Sequence, residues 1–179
     1  MPVILPNVQR TGIFSTQYNI LSFGNSGAAD PNYTYRMIVP SIARGGTKVR
    51  VTFQGDGSLA VQILHMAIGV RSGSSADCIA TPTELKVGGA SGLLMSSGGV
   101  TMSDITDFNT ARGQDLLVIF DFAGANANKT YSITSTGGSY GYRKAATQSW
   151  NTATLSSPED LVAPGLTAVC VSKVEIFGN

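Results

Sequence analysis

Apolar and polar residues alternate with a period of two through much of this chain, and nowhere do apolar residues recur at helical spacing over ten positions. Helices are therefore expected to be limited to one or two turns. The run Leu116–Phe122, read LLVIFDF, is the exception to the alternation: it is apolar throughout apart from Asp121 and is bracketed by Gly113 and Gly124. It is too short for a stable helix and rich in β-branched and aromatic types, which predicts a buried strand with Asp121 turned to solvent. Other strands are predicted where one parity is apolar: Ile13–Phe23, Tyr33–Val39 until Pro40 stops the ladder, and Lys48–Phe53 with Val49, Val51 and Phe53 inward. Gly24–Pro31 reads as a turn-rich loop. Gln54–Ser58 contains Asp-Gly and reads as a hairpin into Leu59–Val70, whose apolar parity switches between Ile63 and Leu64 and calls for a bulge or bend there. Short strands follow at Thr83–Val87, Leu93–Met95, Thr101–Phe108 and Tyr131–Thr134, and Ala168–Phe177 closes the chain.

About nine or ten short strands with turn signals every 8 to 12 residues predict an all-β protein, a two-sheet antiparallel β-sandwich of jelly-roll type with little helix. A length of 179 residues suits one domain, assigned to residues 13–179, preceded by an extended arm over residues 1–12. In that arm Pro2 and Pro6 flank an apolar cluster, Val3, Ile4 and Leu5. It is expected to pack on its own domain or to serve as a subunit contact.

Composition narrows the function. Charged residues make up only 13%, against roughly 25% in an average domain, so the surface is built from neutral polar side chains and glycine. The net charge of +1 gives no basic footprint for nucleic acid. No run approaches the roughly 18 apolar residues of a membrane span, and Met1–Pro6 lacks the form of a signal peptide. Synthesis in a host cytoplasm without export is the expectation. Cys78 and Cys170 match no zinc or redox spacing and read as two free thiols.

Little in the chain suggests catalysis. His65 is the one histidine; it lies in a strand and is expected to point out of the core. No G-x-S-x-G elbow accompanies it, and Gly55-Asp56-Gly57-Ser58-Leu59 departs from the Gly-Asp-Ser-Leu esterase block by an inserted glycine. Gly88–Gly92 lacks the Lys-Ser/Thr of a phosphate loop, and Asp104 with Asp107 does not form a dense acidic loop for calcium. The expectation is no catalytic residues, no metal and no cofactor. One cluster has the composition of a binding surface: Tyr140, Tyr142, Arg143, Lys144 and Trp150, where rings could stack on a sugar face while polar tips bind hydroxyls. The alternative is that Tyr142 and Trp150 pack in the core and Arg143 and Lys144 are solvated.

Four segments, VRVTF (49–53), AIGVRSG (67–73), DLLVIFDFAG (115–124) and YRKAATQSWNTAT (142–154), together resemble β-sandwich modules of bacteriophage and prophage genomes. The same modules are similar to accessory modules found beside SGNH-type hydrolases. The resemblance spans about three quarters of the chain and rests on strand and turn signatures. It implies a jelly-roll-like sandwich used for attachment or assembly, without carrying over hydrolase activity. The expected function is thus a non-enzymatic structural or attachment protein of a phage virion, a capsid decoration or tail appendage, acting with copies of itself and other virion proteins. The alternative is a carbohydrate-binding module that takes a glycan on the aromatic and basic cluster.

Overall fold

In the computed structural model, residues 16–19, 24–28, 33–55, 60–122, 129–132, 139–145, 149–162 and 170–178 are described. Among them there are fourteen strands and no helix. In chain order these are β1 Thr16–Asn19, β2 Gly24–Ala28, β3 Tyr33–Val39, β4 Gly46–Gln54, β5 Val61–Val70, β6 Thr83–Glu84 and β7 Leu93–Met95. Then come β8 Val100–Met102, β9 Thr106–Thr110, β10 Leu116–Phe122, β11 Lys129–Ser132, β12 Ser139–Ala145, β13 Glu159–Val162 and β14 Val171–Phe177.

The strands form two large antiparallel sheets packed face to face, a β-sandwich. One runs β1-β14-β4, with β8 and β9 both pairing the far side of β4; the other runs β13-β12-β3-β10-β5, with β6 and β7 both pairing the far side of β5. A separate pair joins β11 to β2. The chain passes from one sheet to the other between β3 and β4, β4 and β5, β7 and β8, β9 and β10, and β13 and β14, so both layers are built from strands distant in sequence.

The inner faces supply the core. Val49, Val51, Phe53, Val174 and Ile176 from the smaller sheet meet Tyr35, Met37, Ile63, Met66, Val118 and Phe120 from the larger. Phe120 stands at the centre, its ring 5.7 Å from Tyr35, 5.4 Å from Phe122 and 6.5 Å from Phe53. Aromatic pairs at such separations add about 0.5–1.5 kcal/mol each beyond area burial. The parity switch in β5 is resolved as expected: Phe122 pairs Ile63 and Asp121 pairs His65, so Leu64 is skipped in a bulge.

Several sequence expectations are corrected. The link after Gln54 does not close a hairpin, because β4 and β5 belong to different sheets; its Asp-Gly tip, residues 56–59, lies outside the described residues. Turn chemistry reverses a chain equally well within a sheet or between sheets, so it could not tell the two apart. Gly24–Ala28 is not a loop but a strand, held to β11 by backbone pairing that needs no side-chain pattern. Thr101–Phe108 is broken into β8 and β9, because Ser103 and Asp104 bond instead to Val51 and Lys86. β12 and β13 were not anticipated as strands at all. Asp121 is not turned to solvent: it is 2% exposed, since β10 is buried along both faces.

Candidate functional site

The larger sheet has a second buried face, and its polar residues fall there. Antiparallel register aligns them in rows across β12, β3, β10 and β5. One row reads Lys144, Thr34, Asp121, His65; the next reads Tyr142, Arg36, Ile119, Ala67. Thr34 and Arg36 alternate with the core residues Tyr35 and Met37, so the period of two that builds the core also delivers an arginine to the opposite face.

Arg36 is completely buried. Its Nη1 donates to the carbonyls of Ala76 (2.8 Å) and Ala153 (2.9 Å), and its Nη2 to those of Thr152 (2.6 Å) and Ser149 (3.2 Å). The guanidinium therefore joins two segments that lie over the sheet, residues 72–82 and 149–156. Burial pulls its pKa below the ordinary value, while Cys78, Asp77 and Asp121 act to hold it up. Cys78 Sγ is 3.9 Å from Nη1, and burial pushes this thiol above its usual range despite the neighbouring guanidinium. Cys78 and Cys170 are both buried and are not joined by a disulfide.

The same strap of residues 149–156 is pinned elsewhere. Leu155 N donates to Asp77 Oδ1 at 2.8 Å, Cys78 N donates to Ala153 O at 2.8 Å, and Lys144 Nζ reaches Ser156 Oγ at 2.7 Å. Trp150 lies parallel over His65, with ring centroids 4.9 Å apart and planes 9° from coplanar. His65 Nδ1 is 3.6 Å from Asp121 Oδ2, too far for a hydrogen bond, and Thr34 Oγ1 donates to Asp121 Oδ1 at 2.5 Å. His65 thus points out of the core, as expected, but into a covered site formed by a buried acid and an indole. Nothing local announces this pairing, because the acid lies fifty-six positions further along the chain at no motif spacing.

The residues expected to form a binding cluster are divided between surfaces. Tyr142 is buried, its hydroxyl donating to Ser74 O at 2.7 Å and accepting from Arg71 Nη2. Arg143 points to the other face of β12, where Nε meets Glu159 Oε2 at 2.8 Å and the guanidinium lies 5.0 Å from the Tyr33 ring centre. Lys144 is held by Ser156, and Trp150 covers His65. Tyr142 and Trp150 are consistent with the packing alternative, whereas Arg143 and Lys144 are bonded rather than simply solvated. The backbone of Tyr140 lies in β12, but its side chain falls outside the described residues, as do Val3, Ile4 and Leu5.

Other candidate groups also have structural partners. Gly88 N and Gly89 N donate to the two carboxylate oxygens of Asp104 at 3.0 and 2.8 Å, from residues with positive φ, and Asp107 pairs with Lys48 at 3.3 Å. Among the described residues no group of three His, Cys, Asp or Glu side chains could hold a metal ion.

Fold and site together define an all-β sandwich whose larger sheet carries a polar seam sealed by a strap. The chain matches no protein-family model and no curated protein.

Proposed function

We propose that this chain is a non-enzymatic structural or attachment protein of a bacteriophage virion, a capsid decoration or tail appendage, that acts by subunit contact along one edge of its sandwich. The observation that carries the reading is the placement of exposed apolar side chains. Among the described residues six large apolar side chains are exposed, and four of them, Leu94, Val100, Met102 and Ile105 at 71%, 60%, 52% and 53%, fall between residues 94 and 105, the others being Leu64 and Ile79. That stretch holds β7, at the edge of the larger sheet, and β8, at the edge of the smaller one. Edge strands with uncovered apolar side chains favour pairing with another chain, a tendency that assembling proteins put to use.

The buried seam supports the same reading from the opposite direction. Arg36 and Tyr142 bond the strap and the 72–82 segment to the sheet, which stiffens a scaffold. The likeness to prophage modules supports the phage setting, and its four segments fall on β4, β5, β10, β12 and the strap. The deciding experiment is sedimentation velocity on the purified chain, paired with mass spectrometry of purified particles that encode it. A defined oligomer that dissociates in Leu94→Glu/Met102→Glu, with an unchanged circular dichroism spectrum, is expected. A monomer at all concentrations that is absent from particles would sink the proposal.

A further inference from the structure

A groove of about 440 Å³ opens at the β6 and β9 side of the sandwich, toward the edge of the larger sheet opposite β12. Its volume falls in the range of small-ligand sites, about 300–1,000 Å³. Gly69 and Val70 from the end of β5 form part of its lining, and Ile79, Ala80, Thr81 and Thr83 form one wall. Gly69 makes that wall possible: a Cβ there would stand 2.4 Å from Cys78 Sγ, so only glycine lets the 78–83 segment lie so close.

The lining is unusual in its chemistry. Phe108 and Ile79 contribute apolar surface, while Thr81, Thr83, Asn109 and Gln114 contribute neutral hydrogen-bonding groups. Gln114 Oε1 accepts from Ala111 N at 2.7 Å, which fixes the carboxamide and leaves its amide nitrogen as a donor. The one charged lining residue, Asp107, is paired with Lys48 at 3.3 Å, and no Arg or Lys lines the groove. An anion would find no cation among the lining residues. A purely apolar ligand would leave several polar groups desolvated without partners. A neutral polyhydroxylated ring satisfies both conditions, offering apolar C–H faces to Phe108 and hydroxyls to the amides and threonines.

We infer that this groove is a binding site for a neutral sugar, distinct from the 140–150 cluster and independent of the assembly proposed above. Phe108 supplies the stacking ring, and Asn109 and Gln114 supply the directional hydrogen bonds.

The test is a ¹H–¹⁵N NMR titration of the intact chain with N-acetyl-D-glucosamine, D-galactose and D-glucose in turn, and with sodium phosphate as a charged comparison. The expected result is a saturable shift of the Asn109 and Gln114 side-chain amide signals with at least one sugar and none with phosphate. Asn109→Ala and Gln114→Ala, both near the surface, should keep the fold and weaken that sugar at least tenfold. Phe108→Ala should do the same, but Phe108 also packs on the core, so the amide variants decide. No response to any sugar, a response to phosphate alone, or unaltered affinity in both amide variants would each overturn the inference. Repeating the titration on Leu94→Glu/Met102→Glu separates the outcomes, since sugar binding should persist whatever the oligomeric state.

Discussion

Replacing Arg36 with methionine keeps most of the side chain's length and removes its five donors. The guanidinium makes three bonds of 2.6–2.9 Å and one of 3.2 Å to carbonyls of the 72–82 and 149–156 segments. A hydrogen bond from a charged donor contributes about 1.5–3 kcal/mol. Their sum overstates the loss, because the variant no longer desolvates a charge and methionine recovers some packing. Removing one side of a buried charged network typically costs about 3–5 kcal/mol, and this range is expected here. At a urea dependence of about 2–3 kcal/mol per molar, the midpoint falls by roughly 1–2.5 M. Trp150, the single tryptophan, lies within the strap, so its fluorescence reports strap release while far-ultraviolet circular dichroism reports the sheets. In the parent protein the two transitions should coincide. In Arg36→Met the fluorescence change should come first, because the strap loses its main anchor while the Phe120 core is untouched. A midpoint shift below about 0.3 M with superimposed transitions would refute the assignment of Arg36 as the strap's anchor.

Other consequences are open to measurement. Glu175 accepts from Arg50 Nε at 2.7 Å and from Lys173 at 2.8 Å, and the Arg50 bond is the leading cause holding its carboxyl below the usual range. Its contribution is therefore present above the unfolded carboxyl pKa and is lost as pH falls through the folded value. Glu175→Gln should cost about 1–2 kcal/mol at neutral pH and almost nothing in strong acid, as read from urea curves at both. Burial raises the Cys78 thiol above its usual range, so iodoacetamide at pH 8 should leave Cys78 unmodified in the native protein and label it fully in urea, as read by peptide mass spectrometry. Gly141→Ala would place a Cβ 2.3 Å from the Arg36 carbonyl, forcing β12 away from β3. A cost of about 2–3 kcal/mol in urea unfolding is expected, and a neutral result would contradict the close approach of these strands.

The sequence by itself determined the fold class, the core faces of β3, β4 and β5, the bulge at Leu64, and the burial of β10. Each is a statement about neighbours within a strand, where the period of two fixes which side chains share a face. It could not determine which strands pair or which faces are covered twice. Asp121 reads as solvent-facing by alternation, yet it is buried beside Thr34 and His65 on a second face of the sheet, where Trp150 from far along the chain lies over His65. Arg36 looks like one more outward cation until β3 is placed against segments 40 and 117 residues away. In the sequence Tyr142 and Trp150 fit either a binding surface or a packed interior, and only β12 and the strap bring one to Arg71 and the other to His65. Alternation records a residue's parity within its own strand, whereas the covering of a second sheet face depends on long-range contacts that no local pattern encodes.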